Sequence, residues 1–318
     1  MLCDHQLCVR VGLGSAEVTD WTPPLETEES VPMRTGAPVD GFTLSYDRFG
    51  SQGQPAVVLL HGWPGDRTDM TAVAERLAGE HDVLVPDMRG FGGSDKHSGE
   101  PSEYYGLIAQ ARSVAALIEE LGLPEVVLGG YDIGSRVGQQ LARDRPELLR
   151  AMVITPPAPG VGSRILAEGP IREFWYQSFH HLDLAERLLD GKPAAIRDYL
   201  EYFWSHWSGP DFAADATRLE HLTSVYGPAG AFIASIAYYR AAGSIVARSL
   251  AETTPTQKIT VPTTFLWPEH DPLFLRAWSD RVGEFFAQVR VQPVDGVGHF
   301  VPVEAPDTFA AAISAAGS

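Results

Sequence analysis

Residues Glu125–Arg136, EVVLGGYDIGSR, constrain this chain more than any other stretch. A short β-branched run, Val126–Leu128, meets the pair Gly129-Gly130, then Tyr131-Asp132-Ile133-Gly134, then helix-forming residues through Gln140 and Leu141. The pattern predicts a strand, a tight turn and a helix, with Asp132 at the apex. A side chain on such a turn is exposed above the sheet, and the backbone N–H that follows it is free to hold a developing oxyanion. A carboxylate placed there can attack carbon without a base to activate it. The attack leaves an ester on the protein, so a second step that activates water must follow, and the chain must supply a histidine, its orienting acid and oxyanion donors. The alternative at this point is an ordinary N-cap, since glycine-rich turns with one aspartate start helices in many α/β proteins.

Composition narrows the partners. The formal net charge is −17, so nucleic acid and anionic membrane surfaces are repelled at long range and are not expected as partners. Apolar runs are short, as in Ala56–Leu60, and no membrane-spanning helix is expected. The two cysteines, Cys3 and Cys8, lie together at the start, so a disulfide framework is not expected. The opening residues carry Asp4 and His5 in place of a signal peptide's basic start and apolar stretch, and a cytoplasmic location is the default expectation.

Residues 1–38 show no sustained periodicity and read as an N-terminal arm. From Asp40 the pattern becomes β/α. Phe42, Leu44 and Tyr46 alternate as a strand, and Val57–Leu60 reads as a buried strand running into His61-Gly62-Trp63-Pro64-Gly65. A helix over Met70–Leu77, a strand over Asp82–Pro86 and the loop Asp87–Ser94 follow. The helix around Leu107–Leu121 places Leu107, Ile108, Ala111, Val114, Ala115 and Ile118 on one face. After Met152–Ile154 the alternation stops, and residues 159–251 read as a helical cap rich in large aromatics. The alternation resumes with strand Thr263–Trp267, helix Leu275–Phe286 and strand Val289–Val294. The expected fold is therefore an α/β core, residues 39–158 and 252–318, with a mostly parallel sheet flanked by helices and an inserted helical cap.

Four segments that end strands carry polar residues: His61–Pro64, Asp132, Pro268–Pro272 and Gly298–Phe300. Ligands in open α/β sheets bind outside the carboxyl ends of the strands, so these segments should converge. In their order, the HGWP loop, the DMRGFGGSD loop, the elbow, the HDP segment and GHF together resemble the α/β-hydrolase family from about Asp40 to the C-terminus. With aspartate at the elbow, the chain resembles the epoxide hydrolases and dehalogenases of that family rather than its serine esterases. The resemblance implies Asp132 as nucleophile, His299 as the base and Asp271 as its acid, with Glu269 ranked second and Thr155 standing where some relatives carry the acid. It implies the backbone N–H groups of Trp63 and Ile133 as the oxyanion hole, and His61 as a brace for its loop.

Substrate class turns on the neighbouring positions. Haloalkane dehalogenases carry Trp after the nucleophile and Asn in the HG loop, where this chain has Ile133 and Trp63. Fluoroacetate dehalogenases carry Arg directly after the nucleophile and again three positions later, and here only Arg136 remains. Epoxide hydrolases use two cap hydroxyls to hold the epoxide oxygen; Tyr176 in FWYQSF and Tyr239 in AYYRAA resemble those positions, with Tyr238 the weaker substitute. The resemblance thus implies conversion of an epoxide to a vicinal diol. The alternatives are a haloalkane or haloacid dehalogenase and a non-catalytic ligand-binding member of the fold. The aromatic cap implies an apolar or aromatic small-molecule substrate and offers a surface for a homodimer contact. With no HExxH, GxGxxG or P-loop, neither a metal nor an organic cofactor is expected.

Overall fold

The computed structural model describes residues 34–213 and 215–317. The arm expected over 1–38 lies mostly outside them, as do Cys3 and Cys8. Among the described residues, strands β1 (Arg34–Thr35), β2 (Ser45–Phe49), β3 (Ala56–Leu60), β4 (Asp82–Pro86), β5 (Val126–Gly130), β6 (Leu149–Ile154), β7 (Thr263–Pro268) and β8 (Val289–Val294) form one sheet in the order β1-β2-β4-β3-β5-β6-β7-β8. β2 pairs antiparallel with both β1 and β4, and β3 through β8 are parallel. Every residue of β3, β4 and β5 is buried, as expected of parallel strands covered on both faces.

The helices in chain order are α1 (Thr71–Leu77), α2 (Pro101–Tyr104), α3 (Leu107–Glu120) and α4 (Ile133–Asp144), then α5 (Glu168–Glu173), α6 (Trp175–His180), α7 (Asp183–Leu189), α8 (Pro193–Trp207), α9 (Ala216–Tyr226), α10 (Ala231–Ala242) and α11 (Ile245–Ala251), and finally α12 (Val301–Glu304) and α13 (Pro306–Gly317). From β3 the chain steps to β4 on one side and returns to β5 on the other. Right-handed crossovers then put α1 on one face of the sheet and α3 with α4 on the opposite face; α13 returns to pack on α1. The strand order reverses between β3 and β5, and that reversal opens the crevice in which such sheets bind ligands.

Helices α5 to α11 are inserted between β6 and β7. They are fastened to the carboxyl ends of the strands by specific bonds. Trp204 Nε1 donates to the Pro64 carbonyl at 3.0 Å, the Tyr226 hydroxyl donates to the Gly65 carbonyl at 2.7 Å, and the Trp204 ring stacks on Phe300 at 3.8 Å. No single helix among the described residues is long and apolar enough to cross a membrane.

The structure corrects several expectations. Ile108 is 63% exposed: the buried face of α3 centres on Gln110, Val114, Leu117 and Ile118, which leaves Ile108 beyond its edge. Regular pairing in the first long strand begins only at Ser45, because Asp40 (φ 53°) and Gly41 (φ 81°) turn the chain just before it. The segment predicted as helix Leu275–Phe286 is a 3₁₀ run over Arg276–Glu284, starting with Trp278 N–H on the Leu275 carbonyl.

Candidate functional site

Asp132 sits between β5 and α4 at φ 46° and ψ −115°, a backbone conformation that a non-glycine residue holds only when its surroundings enforce it. Glycines make the enforcement geometric. A Cβ on Gly134 would lie 2.3 Å from the Leu60 carbonyl oxygen, and one on Gly62 would lie 2.6 Å from Asp132 Cβ, so α4 and the HGWP loop close on the turn from two sides. The side chain does not cap α4. Asp132 Oδ2 instead accepts the Trp63 N–H at 2.9 Å. Burial raises the Asp132 pKa, opposed by His299 and by the Trp63 and Ile133 N–H groups.

His299 comes from the loop between β8 and α12. Its Nδ1 lies 3.0 Å from Asp271 Oδ2, and its Nε2 lies 3.9 Å from Asp132 Oδ1. That Nε2 is buried and has no hydrogen-bond partner, so it faces Asp132 with its proton-accepting position open. Burial disfavours the imidazolium, but the charge and hydrogen bond of Asp271, with Asp132 behind them, outweigh it and raise the His299 pKa. Asp271 is fixed in turn by the Leu273 N–H on its Oδ1 at 2.8 Å. Glu269 is exposed and accepts the Gly296 N–H at 2.9 Å. Thr155 donates to the Pro156 carbonyl at 3.1 Å, so neither takes the place of Asp271. His61 is committed to the backbone, its Nε2 accepting the Met88 N–H at 3.1 Å and its Nδ1 lying 2.9 Å from the Gly62 carbonyl.

The cap supplies the roof. The Trp63 ring stacks on Tyr176 at 5.5 Å with 2° between planes and meets Tyr239 edge to face at 5.7 Å. The Tyr176 hydroxyl accepts from Gln177 Nε2 at 3.1 Å. The Tyr239 hydroxyl is buried with no partner in hydrogen-bond geometry. Burial raises both phenol pKa values, with Asp132 adding to each, so both are neutral donors at any physiological pH. Asp132, Ile133, Tyr176 and Tyr239 line one cavity of about 20 Å³, room for roughly one ordered water. All seven site residues read from the sequence therefore converge: Asp132, Asp271, His299, Tyr176, Tyr239, Trp63 and Ile133. Among the described residues no group of three His, Cys, Asp or Glu side chains could hold a metal ion.

Other contributors are less visible in the sequence. Glu304 accepts the N–H groups of Gly298 at 2.9 Å, Phe300 at 3.1 Å and Gly209 at 2.7 Å, tying the His299 loop to the cap; its only signal is a carboxylate shortly after GHF. His180 is buried beside Trp63 and Tyr239, its Nε2 3.0 Å from the Tyr199 hydroxyl, and burial holds it well below its ordinary pKa, hence neutral. Arg136, Tyr238 and Arg248 also line the cavity, and Arg248 lies in a cap helix without a motif to mark it.

Fold and site together define an α/β-hydrolase, and residues 55–306 match the alpha/beta hydrolase fold family, to which this chain belongs. Among curated relatives, it is 29% identical over 195 residues to a fluoroacetate dehalogenase of a Burkholderia species; that match spans 60% of this chain and 64% of the relative, less than two thirds of its length. It is 27% identical over 296 residues to a soluble epoxide hydrolase of Corynebacterium sp. strain C12, across 85% of this chain and 92% of that one. Among solved structures, one of the epoxide hydrolases from metagenomes of hot environments superposes with a TM-score of 0.78 at 19% identity, covering 90% of this chain and 98% of that one.

Proposed function

We propose that the protein hydrolyses an epoxide to a vicinal diol. The observation that carries this reading is that two neutral cap hydroxyls, Tyr176 and Tyr239, face the same cavity as the Asp132 carboxylate. Of that carboxylate, Oδ2 is held by the Trp63 N–H, so Oδ1 is the attacking oxygen. It bonds to a ring carbon, the C–O bond of the ring breaks, and its electron pair goes to the ring oxygen, which takes a proton from the tyrosines. The alkyl ester so formed keeps Oδ2 as its carbonyl oxygen, already seated on the donors that stabilise the oxyanion of the second step. His299 Nε2 then takes a proton from water as the water attacks the ester carbonyl carbon, and Asp271 steadies the imidazolium; the tetrahedral intermediate collapses with cleavage of the acyl–oxygen bond, the diol oxygen taking the proton of the added hydroxyl, which restores the Asp132 carboxylate, and the imidazolium proton returns to the tyrosinate.

Displacement of a halide would use the same aspartate. A halide leaves without a proton, however, whereas an alkoxide needs one, and paired phenols answer that need. The test is intact-mass analysis of His299→Gln after exposure to a panel of terminal and aryl epoxides. An added epoxide mass on the peptide carrying Asp132, without turnover, is the expected result. Rapid steady-state diol formation by that variant contradicts the assigned base, and labelling by haloalkyl compounds alone moves the reading to a dehalogenase.

A further inference from the structure

Directly behind the nucleophile lies a buried carboxylate that the reaction above does not use. Asp69 stands on a 3₁₀ turn, Arg67–Met70, that follows the HGWP loop, and it is enclosed on all sides. Its Oδ2 accepts the hydroxyl of Tyr131, the residue before Asp132, at 2.5 Å, and its Oδ1 accepts Arg218 Nη1 from α9 of the cap. Burial pushes the Tyr131 phenol well up, so its hydroxyl stays a donor. The loop is packed tightly around this bond. A Cβ on Gly65 would lie 1.8 Å from Asp69 Oδ2 and 2.6 Å from the Tyr131 hydroxyl, and one on Gly62 would lie 2.7 Å from the Tyr131 ring. The ring therefore rests against the peptide that leads to the Trp63 N–H, and a shift of the ring disturbs the 2.9 Å bond from that N–H to Asp132 Oδ2. Arg218 reaches towards the base as well: its guanidinium lies 4.8 Å over the Trp204 ring, which stacks on Phe300, the chain neighbour of His299.

We propose that Asp69 and Arg218 are positioning residues of the catalytic site: the cap arginine holds the Asp69 carboxylate ionised, and that carboxylate fixes Tyr131, the Asp132 turn and the Trp63 N–H for attack. This rests on Asp132 as the nucleophile of the reaction above. An ionised carboxylate accepts from both sides at once, whereas protonation turns one oxygen into a donor and disrupts one of the two bonds. The charge state of Asp69 is held by a partner on another element. Burial pushes its pKa up to about 6, with the Arg218 charge the chief opposing influence and the Asp66 charge adding to the rise. The other polar groups facing it are engaged elsewhere. His221 of α9 pairs with Asp66 at 2.7 Å, His61 Nε2 accepts the Met88 N–H, and the Tyr226 hydroxyl donates to the Gly65 carbonyl. Among the described residues, Arg218 is the cation in ion-pair contact with Asp69. Trp204 and Tyr226 fasten the cap to loop carbonyls; Arg218 fastens it, through Asp69, to the elbow itself.

Single-turnover alkylation by terminal and aryl epoxides in the His299→Gln background, followed against pH, tests this with the His299 titration removed. Arg218→Gln withdraws the charge that opposes the rise, so the acid limb should move up by about 1–3 pH units. Arg218→Lys keeps the charge and should leave the limb near its parental place. Asp69→Asn should slow alkylation by about 10- to 100-fold and leave a profile that Arg218→Gln no longer moves. Tyr131→Phe keeps the ring and removes the link, so it should also cancel the shift, which keeps the test alive if Asp69→Asn does not fold. A limb that stays in place in Arg218→Gln, or moves equally with Asp69→Asn present, overturns the proposal; a merely structural ion pair lowers rate and Tm without moving the limb. Hydrogen exchange at the Trp63 and Ile133 amides at pH 7 reads the coupling without substrate. Protection should fall in Arg218→Gln but not in Arg164→Gln, which breaks another ion pair between cap and core, with Asp280 at 2.7 Å. If protection falls in this way and no epoxide alkylates the protein, the positioning role stands and only the epoxide reading falls. Unchanged protection with parental alkylation in Arg218→Gln overturns the positioning role and leaves epoxide hydrolysis intact.

Discussion

The two cap tyrosines make unequal predictions for stability and the same prediction for chemistry, which separates a role in the proposed reaction from mere packing. The Tyr239 hydroxyl is buried with no partner in good hydrogen-bond geometry and interacts only with the neighbouring Tyr176 hydroxyl, so Tyr239→Phe gives up at most a weak bond and should change stability by no more than about 1 kcal/mol. The Tyr176 hydroxyl accepts the Gln177 amide at 3.1 Å; Tyr176→Phe strands that buried donor and should cost about 1–3 kcal/mol. Both rings keep their contacts with Trp63, so the apolar packing is unchanged. Positioned general acids contribute about 10²–10⁴-fold. Either single change should therefore slow ring opening by about 10- to 100-fold, the remaining hydroxyl serving alone, and the double change should reach the full range. The assay is single-turnover alkylation in the His299→Gln background, followed by intact mass, with Tm measured alongside. A double variant that alkylates at the parental rate would refute the assignment, as would a loss of stability in Tyr239→Phe matching that in Tyr176→Phe.

Further outcomes follow from the same geometry. Asp132→Gly should abolish turnover and melt above Asp132→Ala, which loses the same acceptor for the Trp63 N–H but keeps a Cβ at positive φ; a difference of about 1 kcal/mol corresponds to about 2 °C at this size, and equal melting of the two would show that the turn is not strained. The His299 pKa lies above its ordinary 6.5 in the folded protein. The associated stability is therefore fully present below pH 6.5 and lost as pH rises through the raised folded value, whereas de-esterification, which needs the neutral ring, should rise with pH over a lower interval, because the ester no longer carries the Asp132 charge that helps to raise the His299 pKa; pH-dependent melts and single-turnover ester decay, with His299→Gln as the flat control for the melts, check both signs. Glu304→Gln weakens charge-assisted bonds to Gly298, Phe300 and Gly209 and should cost about 1–3 kcal/mol, slowing de-esterification more than alkylation because it loosens the His299 loop and leaves Asp132 in place; equal slowing of the two steps would count against it.

What could be read from the sequence, and what could not, follows from how far apart in the chain the cause and its signal lie. The elbow, the HGWP loop, Asp271 and His299 each sit where a strand ends, and each local pattern of apolar run, glycine and polar residue is complete within about ten residues. Such patterns place a residue at the carboxyl edge of the sheet, and topology alone then brings the edges together. The failures occur where a helix face or a charge is defined by a distant partner. Ile108 repeats at helical spacing but lies past the edge of the face that α4 covers. The 3₁₀ run over Arg276–Glu284 keeps an amphipathic look while its bonds tighten to the third residue.

The arginine pair is the sharpest case of that distance. Arg136 has a fixed place in the sequence, four residues after Asp132, and taken alone reads as a remnant of a two-arginine site. Its companion stands more than a hundred residues away in a cap helix whose residues carry no motif, so nothing local couples the two. Only the fold turns Arg248 inward to the cavity that Asp132 and Arg136 also line. The division is a physical one. In the proposed reaction, attack, proton transfer and oxyanion binding come from the strand ends, whereas the tyrosines and Arg248 come from the inserted helices, so on that reading the core sets the reaction and the insertion selects what enters it. Exchanging α10 and α11 for those of a relative should therefore change which substrates are accepted while leaving Asp132, Asp271 and His299 able to form and hydrolyse the ester, and a chimera with an unchanged substrate preference would place that selection in the core.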